Sequence, residues 1–387
     1  MYKNILTTLV FLLYCTTNLA QINDLESDSI SERIEKKWKI SVNGFFQTDA
    51  MFDFKEMKTK EGFDATSISE SKKNVPSTYF GIKQSQLKLL IEEVDENRKS
   101  NLSAFIEVDF HGPNNTTVPR FRHGYLKWKK FLIGQTWSNF SDFYIWPNII
   151  DFFGANGALF ARTIQVRYET NISKNGRITL ALEDPNATSI RLPNNENWKK
   201  KPLIPAFTSS YVYNSNKNYF KIASILSSVS YTTDKEPDKL KTNIGYGILF
   251  SGKLHISNLN NFRLQTSYGK GYSHHNVVLN GAGYDAIPDI KNDRLKSLNL
   301  FNIFGIYEHW WSSLWSSVFY YSYSQLEKNS IIPTNMLQNF HNKAINLVYQ
   351  PYPYLRVGAE VTYGRNRRIS GDAFNAYRIQ CSSSISF

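Results

Sequence analysis

Alternation of apolar and polar positions runs through most of this chain. From Lys39 to Phe54, the positions Ile40, Val42, Gly44, Phe46, Thr48, Ala50, Phe52 and Phe54 fall on one face. Lys39, Ser41, Asn43, Gln47, Asp49 and Asp53 fall on the other, with Phe45 and Met51. A period of two with one apolar face marks a half-buried strand, and about sixteen residues is long for a globular one. The same rhythm returns at 100–111, where Leu102, Ala104, Ile106, Val108 and Phe110 oppose Ser103, Phe105, Glu107, Asp109 and His111. It recurs at 163–169, 177–183, 262–272 and 354–364, and more weakly near 206–214, 219–231, 243–256, 295–308, 312–325, 342–350 and 375–387. A strand over 78–92 has an unclear phase, because Phe80 and Ile82 disagree with Leu87, Leu89 and Ile91.

Short charged turns such as 93–98 alternate with long polar loops such as 55–77 and 184–205. That alternation is how membrane barrels are built, with the short turns periplasmic. One connection is unlike the rest. The runs RFRHGYLKW (120–128), KFLIGQTW (130–137) and TIQVRY (163–168) flank an aromatic loop near 139–160 that holds Pro147, Gly154 and Gly157. A loop of about twenty residues with large apolar groups is uncommon in a compact domain and is usually functional. The pattern therefore predicts an all-β fold over 39–387. It is a transmembrane antiparallel β-barrel of about 16 strands, with a constriction loop folded inward.

The remaining features sharpen this reading. Aromatic residues make up 15% of the chain, as the interfacial girdles of a barrel require. Residues 1–20 read as a signal peptide, with Lys3, an apolar core from Ile5 to Tyr14, and Ala20 before the cut. Residues 21–38 read as a short periplasmic leader, helical if Ile30, Ile34 and Trp38 share a face. After cleavage Cys381 is the one remaining cysteine, so no internal disulfide forms. The net charge of +12 points to anionic partners, either small anionic solutes or outer-membrane lipid and lipopolysaccharide. No basic run with interleaved aromatics reads as a nucleic-acid motif, and Trp198 with Lys199, Lys200 and Lys201 reads as a solvated loop. The final strand places Tyr377, Ile379, Cys381, Ser383, Ile385 and Phe387 on one face.

Four stretches are similar to the DcaP-like outer-membrane porins: NGFFQTDAMFDF (43–54), RFRHGYLKW (120–128), FLIGQTWSNFSDFYIWPNIIDFFGANGALFARTIQVRYE (131–169) and INLVYQPYPYLRVGAEVTYGRNRR (345–368). With the terminal strand they cover both ends and the first half of the barrel; the middle matches mainly in rhythm. The resemblance implies a homotrimeric, sixteen-stranded porin of the Gram-negative outer membrane. Its third loop narrows the lumen, and it prefers anionic solutes such as dicarboxylates. The short leader departs from family members that carry a longer periplasmic coiled coil, which leaves the barrel walls to hold a trimer together.

A channel needs a polar lumen and a field, and arginine or lysine rings favour anions. Arg120 and Arg122 share one strand face, with Phe121, His123 and Tyr125 on the other; Arg167, Arg177, Arg263 and Arg356 sit on polar faces of clean strands. Each can grip a carboxylate with two parallel hydrogen bonds, or simply pair with Glu107, Asp109, Glu169 or Glu360 in the wall. Arg162 falls on the lipid-side parity, which puts it at the rim where the loop rejoins the barrel. On the loop, Asp142 and Asp151 either oppose the arginines across an eyelet or cap the loop's own backbone. Trp137, Phe140, Phe143, Tyr144 and Trp146 are expected to wedge the loop against the wall.

Bond chemistry finds little support. His123, His274, His275 and His309 single out no serine nucleophile, and Gly269-Lys270-Gly271 lacks the rest of a phosphate loop. His274-His275 has no acidic or cysteine partner at ligand spacing and reads as a solvated pair. No enzyme, metal or cofactor is expected. The competing readings are a secreted or surface β-rich carbohydrate-binding protein and an outer-membrane barrel hydrolase.

Overall fold

The computed structural model describes residues 37–71, 73–94, 101–113, 116–194, 196–215, 218–257 and 259–387. The expected signal peptide and nearly all of the expected leader lie outside the described residues; Trp38, counted with the leader above, already belongs to the first strand.

The wall strands are Lys37–Asp53, Ser77–Gly81 continued by Gln86–Val94, Leu102–Asp109, Arg120–Trp128, Phe131–Trp137, Arg162–Asn171, Gly176–Glu183 and Ala206–Asn214. They continue as Asn218–Thr232, Lys241–His255, Asn261–Lys270, Asn299–Trp310, Trp315–Leu326, Leu337–Tyr352, Leu355–Arg368 and Ala373–Ser386. Each pairs antiparallel with its neighbours, and the last pairs with the first from Phe45↔Ser386 to Asp53↔Arg378, closing a 16-strand barrel. Closure is what lipid demands, since an open edge would leave backbone groups unpaired in hydrocarbon. The seam is reinforced inside the lumen by Arg378, which forks onto Asp53 (Nε–Oδ1 2.6 Å, Nη2–Oδ2 3.0 Å). At the seam's other end, Gly44 exchanges two backbone hydrogen bonds of 3.1 Å with Phe387. A Cβ on Gly44 would stand 2.4 Å from the Gln86 carbonyl and 2.9 Å from the Phe387 ring, so only glycine fits there.

Burial is inverted relative to a soluble protein. Ile40, Val42, Phe46, Phe52 and Phe54 are exposed, while Gln47, Asp49 and Asp53 of the same segment are buried. Apolar side chains face lipid and polar ones face the lumen.

Two β-bulges break the simple parity. In the second strand, Gly81 pairs with Asp49 and Gln86 pairs with Phe45, so residues 82–85 face only 46–48. That one extra residue reverses the phase, which explains why Phe80 and Ile82 point outward together with Leu87. In Arg120–Trp128, Phe121 pairs with Val108 and His123 with Glu107, leaving Arg122 as an unpaired extra residue. Arg122 and His123 are therefore both buried in the lumen, correcting the expectation that His123 faces away from Arg122.

The long connections fill the barrel's outer end. Met57, Phe63, Ala65 and Ile68 of the first loop pack with Phe140 and Leu159 of the third, and with Tyr272, Leu279, Tyr284 and Ile287. The last four belong to 271–298, which carries its own hairpin, Ala286–Asp289 with Arg294–Ser297. The strand expected over 295–308 is thus split, and its wall part begins at Asn299.

Two solvated-loop expectations fail in this region. His274 and His275 are buried, His274 Nδ1 lying 2.8 Å from Asp285, an acid eleven residues away in sequence but adjacent in space. Trp198 is buried and stacked on Tyr231, and Lys199–Lys200 bridges to the strand end at Tyr231 and Thr232, while Lys199 and Lys201 are exposed as expected.

Candidate functional site: the constriction loop and its basic wall

The loop from Ser138 to Ala161 crosses the lumen and is gripped by its main chain. Its N–H groups donate to inward side chains of the wall: Asn139 to Glu183 (2.9 Å), Asn148 to Glu308 (2.9 Å), Ile150 to Glu360 (3.0 Å), Asn156 to Asn342 (2.9 Å), Gly157 to Ser322 (3.1 Å) and Leu159 to Gln265 (2.9 Å). Its carbonyls accept from Lys221 at Ser141 (2.6 Å), Arg263 at Ile145 (3.2 Å) and at Trp146, Asn346 at Asn148 (3.0 Å), Arg356 at Ile149, and Asn342 at Gly154 (2.8 Å). Acids, amides and a hydroxyl take the donors, and cations or amides take the acceptors. All of these wall residues come from strands between Gly176 and Arg368. Each neutral bond contributes about 1 kcal/mol and the charged ones about 1.5–3 kcal/mol, so the loop is seated firmly on that side. The first loop adds a clasp. Asn156 accepts from Ala65 N–H (2.8 Å) and donates to the Phe63 carbonyl (2.8 Å), and Asp151 accepts from Phe63 N–H (2.7 Å).

On the opposite side a cavity of about 630 Å³ stays open between the loop and the strands of the first third of the chain. Its cations are Lys88, Arg120, Arg122, Arg162 and Arg356; its acids are Glu107 and Asp151. Both acids are occupied. Glu107 is 2.6 Å from Arg122, and Asp151 accepts backbone bonds from Phe63, Phe153 and Gly154. Asp109, fully buried behind this wall, orients Arg120 (2.6 Å) and Arg122 (2.8 Å). Arg162 has no carboxylate partner among the described residues; its guanidinium lies 5.1 Å from the Trp137 ring. Facing the cations is an aromatic stack: Trp137 on Phe143 (5.2 Å, 11°) and Phe143 on Trp146 (5.7 Å, 14°), with Phe160 edge-on to Trp146 at 4.6 Å.

The family follows from one comparison. The DcaP outer membrane protein family matches residues 16–384. This chain belongs to that family. Among solved structures, the outer membrane channel DcaP of Acinetobacter baumannii is similar with a TM-score of 0.77 and 19% identity, over 90% of this chain and 97% of that one. An anion-selective porin from Comamonas acidovorans aligns with a TM-score of 0.59 and 9% identity, over 91% and 100%. OmpT of Vibrio cholerae in its trimer form aligns with 0.54 and 12%, over 90% and 99%. The comparison with curated proteins gives no match. The DcaP-family barrel is an outer-membrane channel fold of a Gram-negative cell.

Within this DcaP-family barrel the expected site residues separate into groups. Arg120, Arg122 and Arg356 line the cavity. Arg356 also holds the loop at Ile149. Arg263 and Arg167 do not line it. Arg263 is buried against Glu308 (2.7 Å) and the loop carbonyls, and Arg167 bonds Gln165 (2.9 Å) and the Trp137 carbonyl. Arg177 is 3.5 Å from Glu169 and lines a separate niche with Lys174, Tyr144 and Tyr219, beside the short turn at 172–175. Arg162 is in the cavity and not at the rim. It opens the strand Arg162–Asn171 directly after the loop, paired with Trp137, and its side chain stays in the cavity although Ile164 and Val166 of the same parity are exposed.

The loop acids serve the backbone and its anchors. Asp142 accepts from Tyr144 N–H (3.1 Å), the Tyr219 hydroxyl (2.9 Å) and the Ser251 hydroxyl. Of the aromatics, Phe140 is buried against Tyr272 and His275, and Trp146 packs against a cluster that includes Phe304 and Ile306 of the wall. Trp137, Phe143 and Trp146 line the passage, and Tyr144 packs on Tyr219 at 4.2 Å. Lys88, His123 and Phe160 were missed. For His123 the bulge hides the parity; for Lys88 the cleaner phase of 86–94 carried the signal.

Proposed function

We propose that this protein is a passive diffusion channel that favours small anions, dicarboxylates among them, and that it works as a homotrimer exported by a cleaved signal peptide. One observation carries the selectivity: the cations Lys88, Arg120, Arg122, Arg162 and Arg356 stand at the open cavity against the acids Glu107, Asp109 and Asp151, and Arg162 has no carboxylate of its own among the described residues. Guanidinium groups keep their charge and bind a carboxylate through two parallel bonds. The fold is shared with a porin described as anion-selective and with OmpT described in a trimer form, which supports the reading.

The test is the reversal potential of the purified protein in a planar bilayer under a salt gradient. Anion-selective conductance in threefold steps is expected, with candidate dicarboxylates reducing the current. Arg120→Gln with Arg122→Gln shifts the reversal potential toward zero. Cation-selective steps in the unmodified protein would overturn the selectivity, and single steps would overturn the trimer.

A further inference from the structure

The outward face of the strands Leu337–Tyr352, Leu355–Arg368 and Ala373–Ser386 changes character toward the long-loop end. Reading up one strand, Val357, Ala359 and Val361 give way to Tyr363, then Arg365, then Arg367. On its neighbour, Leu347 and Ile345 give way to Lys343 and His341. The register sets these side by side: Lys343 opposite Tyr363, His341 opposite Arg365, and Asn339 opposite Arg367. Tyr363 in turn opposes Tyr377. Each two-residue step climbs about 6.6 Å along a strand, so apolar residues, a tyrosine level and a cationic level follow one another within a few steps. Tyrosines of this kind mark the interface of a barrel with the head groups, and the cations stand just beyond them.

The three cations are free in a way that others on this rim are not. Lys343, Arg365 and Arg367 are exposed, and none has a carboxylate partner among the described residues. Lys343 rests 5.3 Å from the Tyr363 ring. His341 lies against Tyr321 (5.8 Å) and Tyr363 (5.9 Å), and its Nδ1 is buried without a partner. The outward positions of the four strands from Trp315 to Ser386 hold no aspartate or glutamate. Elsewhere at the same end, Arg294 is tied to Asp289 (3.2 Å) and Lys296 to Glu327 (2.8 Å).

We propose that Lys343, Arg365 and Arg367, with His341 and the tyrosines beneath them, bind the phosphorylated saccharide head group of an outer-leaflet glycolipid. Two guanidinium forks and one ammonium on a flat, acid-free face match phosphates on a rigid sugar backbone. The acyl chains then lie along the apolar face below. The inference rests on the outer-membrane placement and is independent of what crosses the pore, because these side chains point away from the lumen.

The test titrates the detergent-folded protein with diphosphoryl lipid A and counts bound lipid by native mass spectrometry. Dephosphorylated lipid A and inorganic phosphate serve as comparisons. Diphosphoryl lipid A is expected to remain bound. Its affinity should fall on the order of ten-fold or more when Lys343, Arg365 and Arg367 are changed together to Gln, about one charge-assisted contact's worth at the least. Arg294→Gln should leave it unchanged. Equal binding of the dephosphorylated lipid, or equal binding by the triple variant, would overturn the proposal. Displacement by inorganic phosphate at the same concentration would reduce the patch to a simple anion site and also overturn it. A salt titration of the unmodified protein gives a result that does not depend on how the variant folds. Release of the lipid as salt rises is expected, and salt-insensitive retention would count against the patch.

Discussion

The two sides of this barrel use the same residue types for opposite ends. Between Gly176 and Arg368, inward arginines, a lysine and glutamates spend their hydrogen bonds on the peptide groups of the constriction loop. Between Lys37 and Asn171, the cations Lys88, Arg120, Arg122 and Arg162 face an open cavity. Arg263 and Arg162 show the contrast. Arg263 is buried, paired with Glu308 and bound to loop carbonyls, whereas Arg162 lies over Trp137 with no acid of its own. What separates their roles is what stands opposite. A wall charge facing a peptide chain becomes part of a seat, and a wall charge facing water sets a field.

Breaking the seat should produce the largest effect. Arg263→Ala leaves Glu308 buried without its cation, which costs about 3–5 kcal/mol and frees the loop at Ile145 and Trp146. A lower melting temperature and a larger, noisier single-channel conductance are expected; unaltered conductance at unaltered stability would mean that the loop is held elsewhere. Asn156→Ala removes two of the three hydrogen bonds that clasp the first loop to the third. About 2 kcal/mol is expected from the buried groups left unpaired, read as earlier proteolysis of the long loops while the strands stay intact. Arg162→Gln tests the open side, because it removes a cavity cation and orphans no acid. Stability should change by less than about 0.5 kcal/mol while the reversal potential moves toward zero, so a change in melting without a change in selectivity would contradict the contrast.

The smallest effect concerns pH. Burial and the neighbouring His274 hold the His275 pKa well below the ordinary 6.5. A base kept neutral by the fold contributes its stability fully above pH 6.5, and that stability is lost as pH falls from 6.5 toward the folded value. Asp64, pushed up to about 6 by burial in the first loop, acts in the opposite sense. A His275→Phe variant isolates the histidine. Hydrogen exchange across 271–285 should quicken less on acidification in the variant than in the unmodified chain.

Much of the architecture is legible in the residue pattern, because lipid outside and polar lumen inside force a strict alternation on every strand. Strand positions and the approximate number of strands follow from it, and the inward loop shows instead in its length and its aromatic residues. What parity alone cannot show are the places where it is broken. The extra residue at 82–85 scrambles the phase of the second strand, and the bulge at Arg122 turns His123 inward. Arg162 opens its strand directly after the loop, and its side chain lies in the cavity against the parity of Ile164 and Val166. The division of arginines into seat and field is likewise invisible, since it depends on where the loop's main chain passes. The burial of His274 and His275 is hidden for a related reason: their partner Asp285 comes from a loop's own tertiary packing.

Much of the grip on the third loop falls on N–H and C=O groups, which every amino acid other than proline possesses. The side chains that line the passage, Phe143, Trp146 and Phe160, take no part in those hydrogen bonds. A lineage can therefore exchange those rings one at a time and try new sieves without losing the scaffold that presents them. The same separation suits an engineer: the aperture can be rewritten by point changes on the loop while the barrel that carries it is left alone.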